Sequence, residues 1–159
     1  MRIPKHIAII PDGNRRWATQ HQMEKKDGYQ HGLNPGLEVL RKAKEYGVAE
    51  ITYYGFTVDN CKRPKVQQNA FIQKEGNVSL LVVGDSSSAH FPEELLKYTQ
   101  RKEIGIADIK VNFLVNYGWE WDLSAIRKAG MEQENDVMTQ IHSKDISRID
   151  LVIRWGNMR

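Results

Sequence analysis

Sulfur chemistry is almost absent from this 159-residue chain. Its one cysteine, Cys61, excludes an internal disulfide, and His21, His31, His90 and His142 stand at no metal-ligand spacing, which argues against zinc. Long apolar runs are missing too. No stretch approaches the roughly 20 residues of a membrane-spanning helix. The opening Met1-Arg2-Ile3-Pro4-Lys5 leads into a strand-like segment, not into the apolar stretch and cleavage site of a signal peptide. A cytoplasmic location is therefore expected. Nor is there a large excess of one charge. At a formal +3, with arginines scattered at the ends of predicted strands, the chain lacks the clustered basic, aromatic-bearing face of a nucleic-acid groove. No nucleic-acid partner is expected, and the scatter suits a small anionic ligand better. Internal repeats and low-complexity tracts are also lacking.

What is there is an ordinary globular balance, 40% hydrophobic and 27% charged, in a length that suits one domain, residues 1–159. Strand-like and helix-like segments alternate. His6 to Ile10 is a short apolar strand. Pro35 to Tyr46 reads as a helix with Leu37, Leu40 and Ala43 on one face and Gly47 as its stop. Glu50 to Phe56 is rich in β-branched and aromatic residues and reads as a strand. Pro64 to Gln73, Pro92 to Thr99, Trp121 to Ala129 and Asp136 to His142 are predicted helices; Ser79 to Val83, Asp108 to Val115 and Ile149 to Ile153 are predicted strands. This alternation predicts an α/β fold, a central, mostly parallel sheet with helices on both faces and right-handed crossovers. Ligands of such sheets bind beyond the carboxyl ends of the strands. Polar clusters stand there: Asp12 to Arg16, Thr57 to Arg63, Gly84-Asp85, Asn116 to Asp122, and Arg154 onward.

The first cluster carries the most chemistry. Asp12 is a hard oxygen ligand suited to a magnesium ion shared with a diphosphate. Gly13 permits close approach of backbone to phosphate. With Asn14 it would open a helix whose free N–H groups face an anion, and Arg15 and Arg16 add forked donors. The same residues also read as a helix cap followed by surface arginines, because Asp-Gly-Asn is common turn chemistry. The glycine spacing fits neither a P-loop nor a dinucleotide fingerprint.

The wider stretch His6-Ile7-Ala8-Ile9-Ile10-Pro11-Asp12-Gly13-Asn14-Arg15-Arg16-Trp17-Ala18 resembles the first signature of the cis-prenyltransferases, the family of undecaprenyl diphosphate synthase. Further blocks resemble that family in the same order: Gly28 to Gly32, Tyr54 to Pro64, Val83-Gly84-Asp85, Asn116-Tyr117-Gly118 with Trp121-Asp122, and Asp150 to Arg154. The resemblance implies the family's fold, with a hydrophobic product tunnel. It implies a magnesium-dependent homodimer that joins isopentenyl diphosphate to an allylic diphosphate, with peripheral membrane contact for long products. Asp12 would bind the metal and assist departure of the allylic diphosphate. Gly13, Asn14, Arg15, Arg16 and Trp17 would hold that diphosphate. Lys25 aligns with a phosphate-binding arginine, and Tyr29 replaces a histidine. Arg63 and Arg154 would hold isopentenyl diphosphate, with Thr57, Val58, Asp59 and Cys61 lining the site. Asn60 matches the residue assigned as proton acceptor; an amide is a weak base, so positioning or relaying a proton suits it better. Arg154 at a strand end has no evident structural purpose, which favours function.

Three departures stand out. Cys61 replaces a tryptophan of many relatives. The predicted helix from Pro64 breaks off near Gln73, and the stretch after Ile126 aligns poorly. The sequence stops at Arg159, where relatives continue into a C-terminal segment with a distal metal-binding glutamate, so a longer native protein is expected; Asn157 and Met158 replace typical residues of the last motif. Two other readings share the fold: a branching transferase that joins its units in a non-head-to-tail manner, and a non-catalytic partner subunit. Such subunits tend to lose the metal aspartate, which Asp12 retains here.

Overall fold

The computed structural model describes residues 2–24, 27–57, 76–129 and 137–156. Strand β1 (His6–Pro11) is the first apolar run. It ends at Pro11, and Gly13 then takes a left-handed φ of 94° to start helix α1 (Asn14–Gln20) without a side-chain cap. Helix α2 (Asp27–Glu45) begins well before Pro35 and carries that proline inside it. An internal proline costs a helix about 3 kcal/mol. Packing on both sides of it offsets the loss: Gly28 and Gly32 lie against α1, while Leu37, Leu40 and Ala43 are buried in the core. Gly47, at φ 74°, stops the helix as its sequence predicts.

The remaining described elements are β2 (Glu50–Thr57), β3 (Val78–Val83), a 3-10 helix (Glu93–Tyr98), β4 (Lys102–Ile104), β5 (Lys110–Tyr117), α3 (Trp119–Ala129), α4 (Val137–Gln140) and β6 (Leu151–Trp155). The segment predicted as a helix from Pro64 to Gln73 lies outside the described residues. The strands form one sheet in the order β4-β3-β5-β2-β1-β6. All pairs are parallel except β3 with β4. Sequence reading misses β4 because it is three residues long and mostly exposed, with no apolar alternation to mark it.

Side-chain alternation gives the sheet two different faces. Ile7, Ile9, Ile51, Leu80, Val111 and Phe113 point into one apolar core beneath Leu37 and Leu40 of α2 and Leu95 of the 3-10 helix. The opposite face is polar at the amino ends of the strands. There His6 and Glu50 sit in register, as do Thr52 and Asn112. Asn112 Nδ2 donates to Glu50 Oε1 at 2.6 Å and to Thr52 Oγ1 at 2.9 Å, and the Ser147 hydroxyl donates to Glu50 Oε2 at 2.6 Å. His6 Nδ1 faces the Ser147 carbonyl at 2.9 Å, which only an N–H can satisfy, leaving Nε2 for the Thr52 hydroxyl at 2.8 Å. Arg101 closes the network through Nη2 to Asn112 Oδ1 at 2.7 Å. Asp150 accepts from the backbone N–H groups of Lys5 and His6, which ties the start of β6 to the start of β1.

Two outcomes are expected for stability. A Cβ at position 28 would land inside the Asn14 carbonyl, whereas at Gly118 it would meet nothing within 4 Å. Gly28→Val should therefore lose about 1–3 kcal/mol in urea unfolding, and Gly118→Ala less than about 0.5 kcal/mol. Burial pushes the Glu50 carboxyl up, but the Ser147 and Asn112 hydrogen bonds and nearby His6 outweigh it and hold its pKa below the ordinary 4.5. The stabilisation from this depressed pKa is fully present above about pH 4.5 and is lost as pH falls through the folded value. Denaturant midpoints measured across that acid range should fall for the native chain, with a shallower fall for Glu50→Gln.

Candidate active site at the carboxyl end of the sheet

The carboxyl end of β1 delivers the cluster that its sequence singles out. The parallel register of β1 with β6 sets Ile10 opposite Arg154 and Pro11 opposite Trp155. Period-two alternation then puts Asp12 and Arg154 on the same side of neighbouring strands. Arg154 Nη2 donates to Asp12 Oδ2 at 2.6 Å, Arg16 Nη2 stands 3.7 Å from the same oxygen, and the Gly13 N–H donates to Oδ1 at 2.6 Å. The Arg154 hydrogen bond is the main cause holding the Asp12 carboxyl below the ordinary carboxylate range; burial opposes it, and the Gly13 N–H adds to it. Asp12 is thus an ionised, hard oxygen donor at neutral pH.

Glycines allow the close packing around it. Gly156 has φ 100°, and a Cβ there would stand 3.0 Å from the Asp12 carbonyl oxygen. On the other side, a Cβ at Gly32 would press on the Asn14 amide at 2.8 Å. Gly28 and Gly32, four residues apart on one helical face, therefore let α2 rest directly on the opening turn of α1. That turn has no side-chain cap, so its first N–H groups are unclaimed by capping side chains. Trp17 stacks on His21, with centroids 4.1 Å apart, and leans on His31 at 4.8 Å, leaving the indole 38% exposed.

A cleft of about 1010 Å³ opens beside this cluster. Asp12, Gly13, Asn14, Arg16, Trp17 and Gly156 form one end. The walls continue through Pro35, Val39, Ala43 and Tyr46 of α2 and its C-terminal turn on one side, and through Ile7, Ile153 and Trp155 on the other. Lining residues from Gly28 to Tyr46 follow nearly the whole of α2, about 27 Å at 1.5 Å per residue. The space is a charged mouth with a long, mostly apolar trough. The helix predicted from Pro35 thus both packs the core and lines the trough, whereas Ile51 and Tyr53 of β2 are wholly committed to the core.

Asp12, Gly13, Asn14, Arg16, Trp17 and Arg154 are therefore brought together, with Arg15 on the same short helix. Lys25, Val58, Asp59, Asn60, Cys61 and Arg63 lie outside the described residues, as do the side chains of Tyr29 and Thr57. Among the described residues no three His, Cys, Asp or Glu side chains converge as a metal cage. Among the described residues of this cluster, Asp12 is the one carboxylate, a hard oxygen donor of the kind that shares a magnesium ion with phosphate oxygens. Sequence reading missed Gly156 and His31 as members of the site. For Gly156 the signal was available, a glycine just past a strand end, and His31 falls inside the Gly28 to Gly32 block.

Comparison with known proteins gives a consistent picture. The family model for prenyltransferases of the undecaprenyl diphosphate synthase type matches residues 10–159. An isoprenyl transferase of Nitrosomonas europaea is 30% identical across 97% of this chain and 67% of its own length. One from Clostridium tetani is 30% identical, over 96% of this chain and 70% of its own. A farnesyl-diphosphate-specific ditrans,polycis-undecaprenyl-diphosphate synthase of Vibrio parahaemolyticus is 28% identical, over 96% and 71%. The match to the first of these runs over 179 positions, more than this chain's 159 residues, so that relative carries residues within the matched region that this chain lacks. The crystal structure of lavandulyl diphosphate synthase from Lavandula x intermedia, in complex with dimethylallyl diphosphate, shares the fold with a TM-score of 0.73 at 21% identity, covering 98% of this chain and 79% of that one. The β1–α1 signature, the sheet and the family match over residues 10–159 agree: the chain belongs to the undecaprenyl diphosphate synthase family of cis-prenyltransferases.

Proposed function

We propose that this protein condenses isopentenyl diphosphate with an allylic prenyl diphosphate, forming a cis-prenyl diphosphate and releasing pyrophosphate. One observation carries the reading: the polar cluster of Asp12, Asn14 and Arg16 stands at the mouth of a long, mostly apolar trough between α2 and β6. A prenyl diphosphate has that polarity, a highly charged head on a hydrocarbon tail. Its head suits the opening turn of α1 and the guanidinium of Arg16, and its tail suits Val39, Ala43 and Ile153. Arg154, bonded to Asp12 at that mouth, would receive the second diphosphate, a role the family resemblance also gives to Arg63.

The reaction breaks the allylic carbon–oxygen bond, forms a carbon–carbon bond to the isopentenyl alkene and removes a proton from the isopentenyl unit. As the first bond breaks, negative charge grows on the departing diphosphate. Arg15, Arg16 and the N–H groups of α1 stabilise it there without reorganising. Asp12, with phosphate oxygens of the substrate, would hold a magnesium ion, which would supply further charge neutralisation on the leaving group. Holding both substrates by their diphosphates aligns the two reacting carbons and converts an encounter into a positioned step. Asn60 would position or relay the departing proton to an oxygen of the released diphosphate, which accepts it. The trough, closed on one side by α2, keeps water from the allylic carbon. The working protein is read as a cytoplasmic homodimer whose longer products rest against a membrane surface; among the described residues no helix is long and apolar enough to cross one.

Incubation with labelled isopentenyl diphosphate, farnesyl or dimethylallyl diphosphate, and magnesium should release pyrophosphate and extend the allylic chain with cis geometry. Chelation by EDTA should stop it. Asp12→Asn, nearly isosteric, should lower kcat by about a hundredfold or more while the fold persists. Turnover that survives both EDTA and Asp12→Asn would sink the reading. A product joined in a branched fashion would assign the related non-head-to-tail chemistry instead.

A further inference from the structure

Both oxygens of Asp12 are engaged. Oδ1 accepts the Gly13 N–H, and Oδ2 accepts Arg154 Nη2 at 2.6 Å with Arg16 Nη2 at 3.7 Å. A divalent cation approaching Oδ2 therefore meets the positive charge of Arg154 at contact distance, where like charges repel. Yet the Arg154 side chain is 47% exposed on an edge strand, so it can swing toward a new partner without unpacking the core.

Resting on the proposed function above, we infer that Arg154 is a releasable lock on Asp12, which makes the metal and the second diphosphate load as a coupled pair. Without that diphosphate, the guanidinium holds the carboxylate oxygen that a divalent cation needs. A phosphate group beside Arg154 offers two parallel, strongly charged acceptors in place of the single oxygen Asp12 presents, and the guanidinium fork favours it. Arg154 turns to the phosphate, and Oδ2 becomes available. By linkage, each ligand then raises the affinity of the other by the same factor. The arrangement protects the allylic substrate. An allylic diphosphate activated before an acceptor alkene arrives would be lost to water, and the lock withholds full activation until the acceptor's diphosphate is in place.

The test uses the full chain and binding of Mn2+, followed by its electron paramagnetic resonance, alone and with saturating inorganic phosphate. In the native protein phosphate should tighten Mn2+ binding. Arg154→Gln should bind Mn2+ alone about fivefold more tightly than the native chain, and phosphate should then add less than about twofold. Arg16→Gln removes the same charge from the longer contact and should change Mn2+ affinity by less than about twofold. Arg154→Lys, which keeps a charge beside Asp12, should remain close to native and shows that the position tolerates substitution. Unchanged or weaker Mn2+ binding in Arg154→Gln overturns the lock, as does an equal effect of Arg16→Gln. Asp12→Asn separates the two readings. Mn2+ binding that survives it removes the metal from Asp12 and overturns both. Asp12-dependent binding with the Arg154 behaviour described, but no turnover with prenyl substrates, overturns the proposed function alone.

Discussion

Strands β1 and β6 lie side by side from Ile7 opposite Leu151 to Pro11 opposite Trp155, and that register fixes the geometry of the site. The two strands are far apart in sequence; Asp12 and Arg154, for example, are separated by 142 positions. A slip of one residue would turn Arg154 to the opposite face, away from Asp12, and carry Trp155 out of the trough wall. Asp150, which receives the backbone N–H groups of Lys5 and His6, anchors the register at the amino ends of the strands. Local chemistry at the mouth thus depends on long-range pairing, which is secured at the other end of the same two strands.

The second constraint is close packing of α1 on α2. Without Gly28 and Gly32, α2 could not rest on the Asn14 backbone and amide. With them, it holds the uncapped opening turn of α1 at the rim of the trough that α2 itself lines. The same helix therefore positions the uncapped turn and forms the mostly apolar wall. A ligand with a charged head and an apolar tail is the one kind of molecule that uses both surfaces at once.

Much of this was legible in the sequence, and the reasons differ by element. The strands β1, β3 and β5, and β2 from Glu50 to Tyr53, are buried on both faces or nearly so, and such strands read as apolar runs. The Asp12 cluster and Arg154 were legible as polar groups at strand ends. Their hydrogen bond to each other was not, because strand order is a tertiary property that local pattern does not encode. The resemblance assigned Arg154 to one diphosphate and Asp12 to the other, whereas the folded chain pairs them directly. The start of α2 was misread because Pro35 is a strong local signal for a first turn, and the glycine contacts that outweigh it involve α1. β4 left no pattern to find. Similarly, the buried pairing of Glu50 with Asn112 and Ser147 could not be foreseen, since a glutamate at the head of a strand reads as solvent-facing.

The two ends of the sheet hold charge in opposite ways. At the amino end, Glu50 and His6 are almost wholly buried and every partner is fixed by a hydrogen bond to sheet or adjoining chain. Breaking such a network leaves unpaired polar groups without water, a loss of several kcal/mol in a low-dielectric interior, so this end is rigid. At the carboxyl end, Asp12 and Arg154 keep side-chain exposures of 29% and 47%. Solvent takes over when such a pair separates, and the cost is about 1 kcal/mol or less. A diphosphate and a metal can readily outbid an interaction of that size. The fold thus concentrates its buried, fully paired polar contacts at the amino end of the sheet, and leaves beside the mouth of the trough an exposed charge pair that separates at little cost.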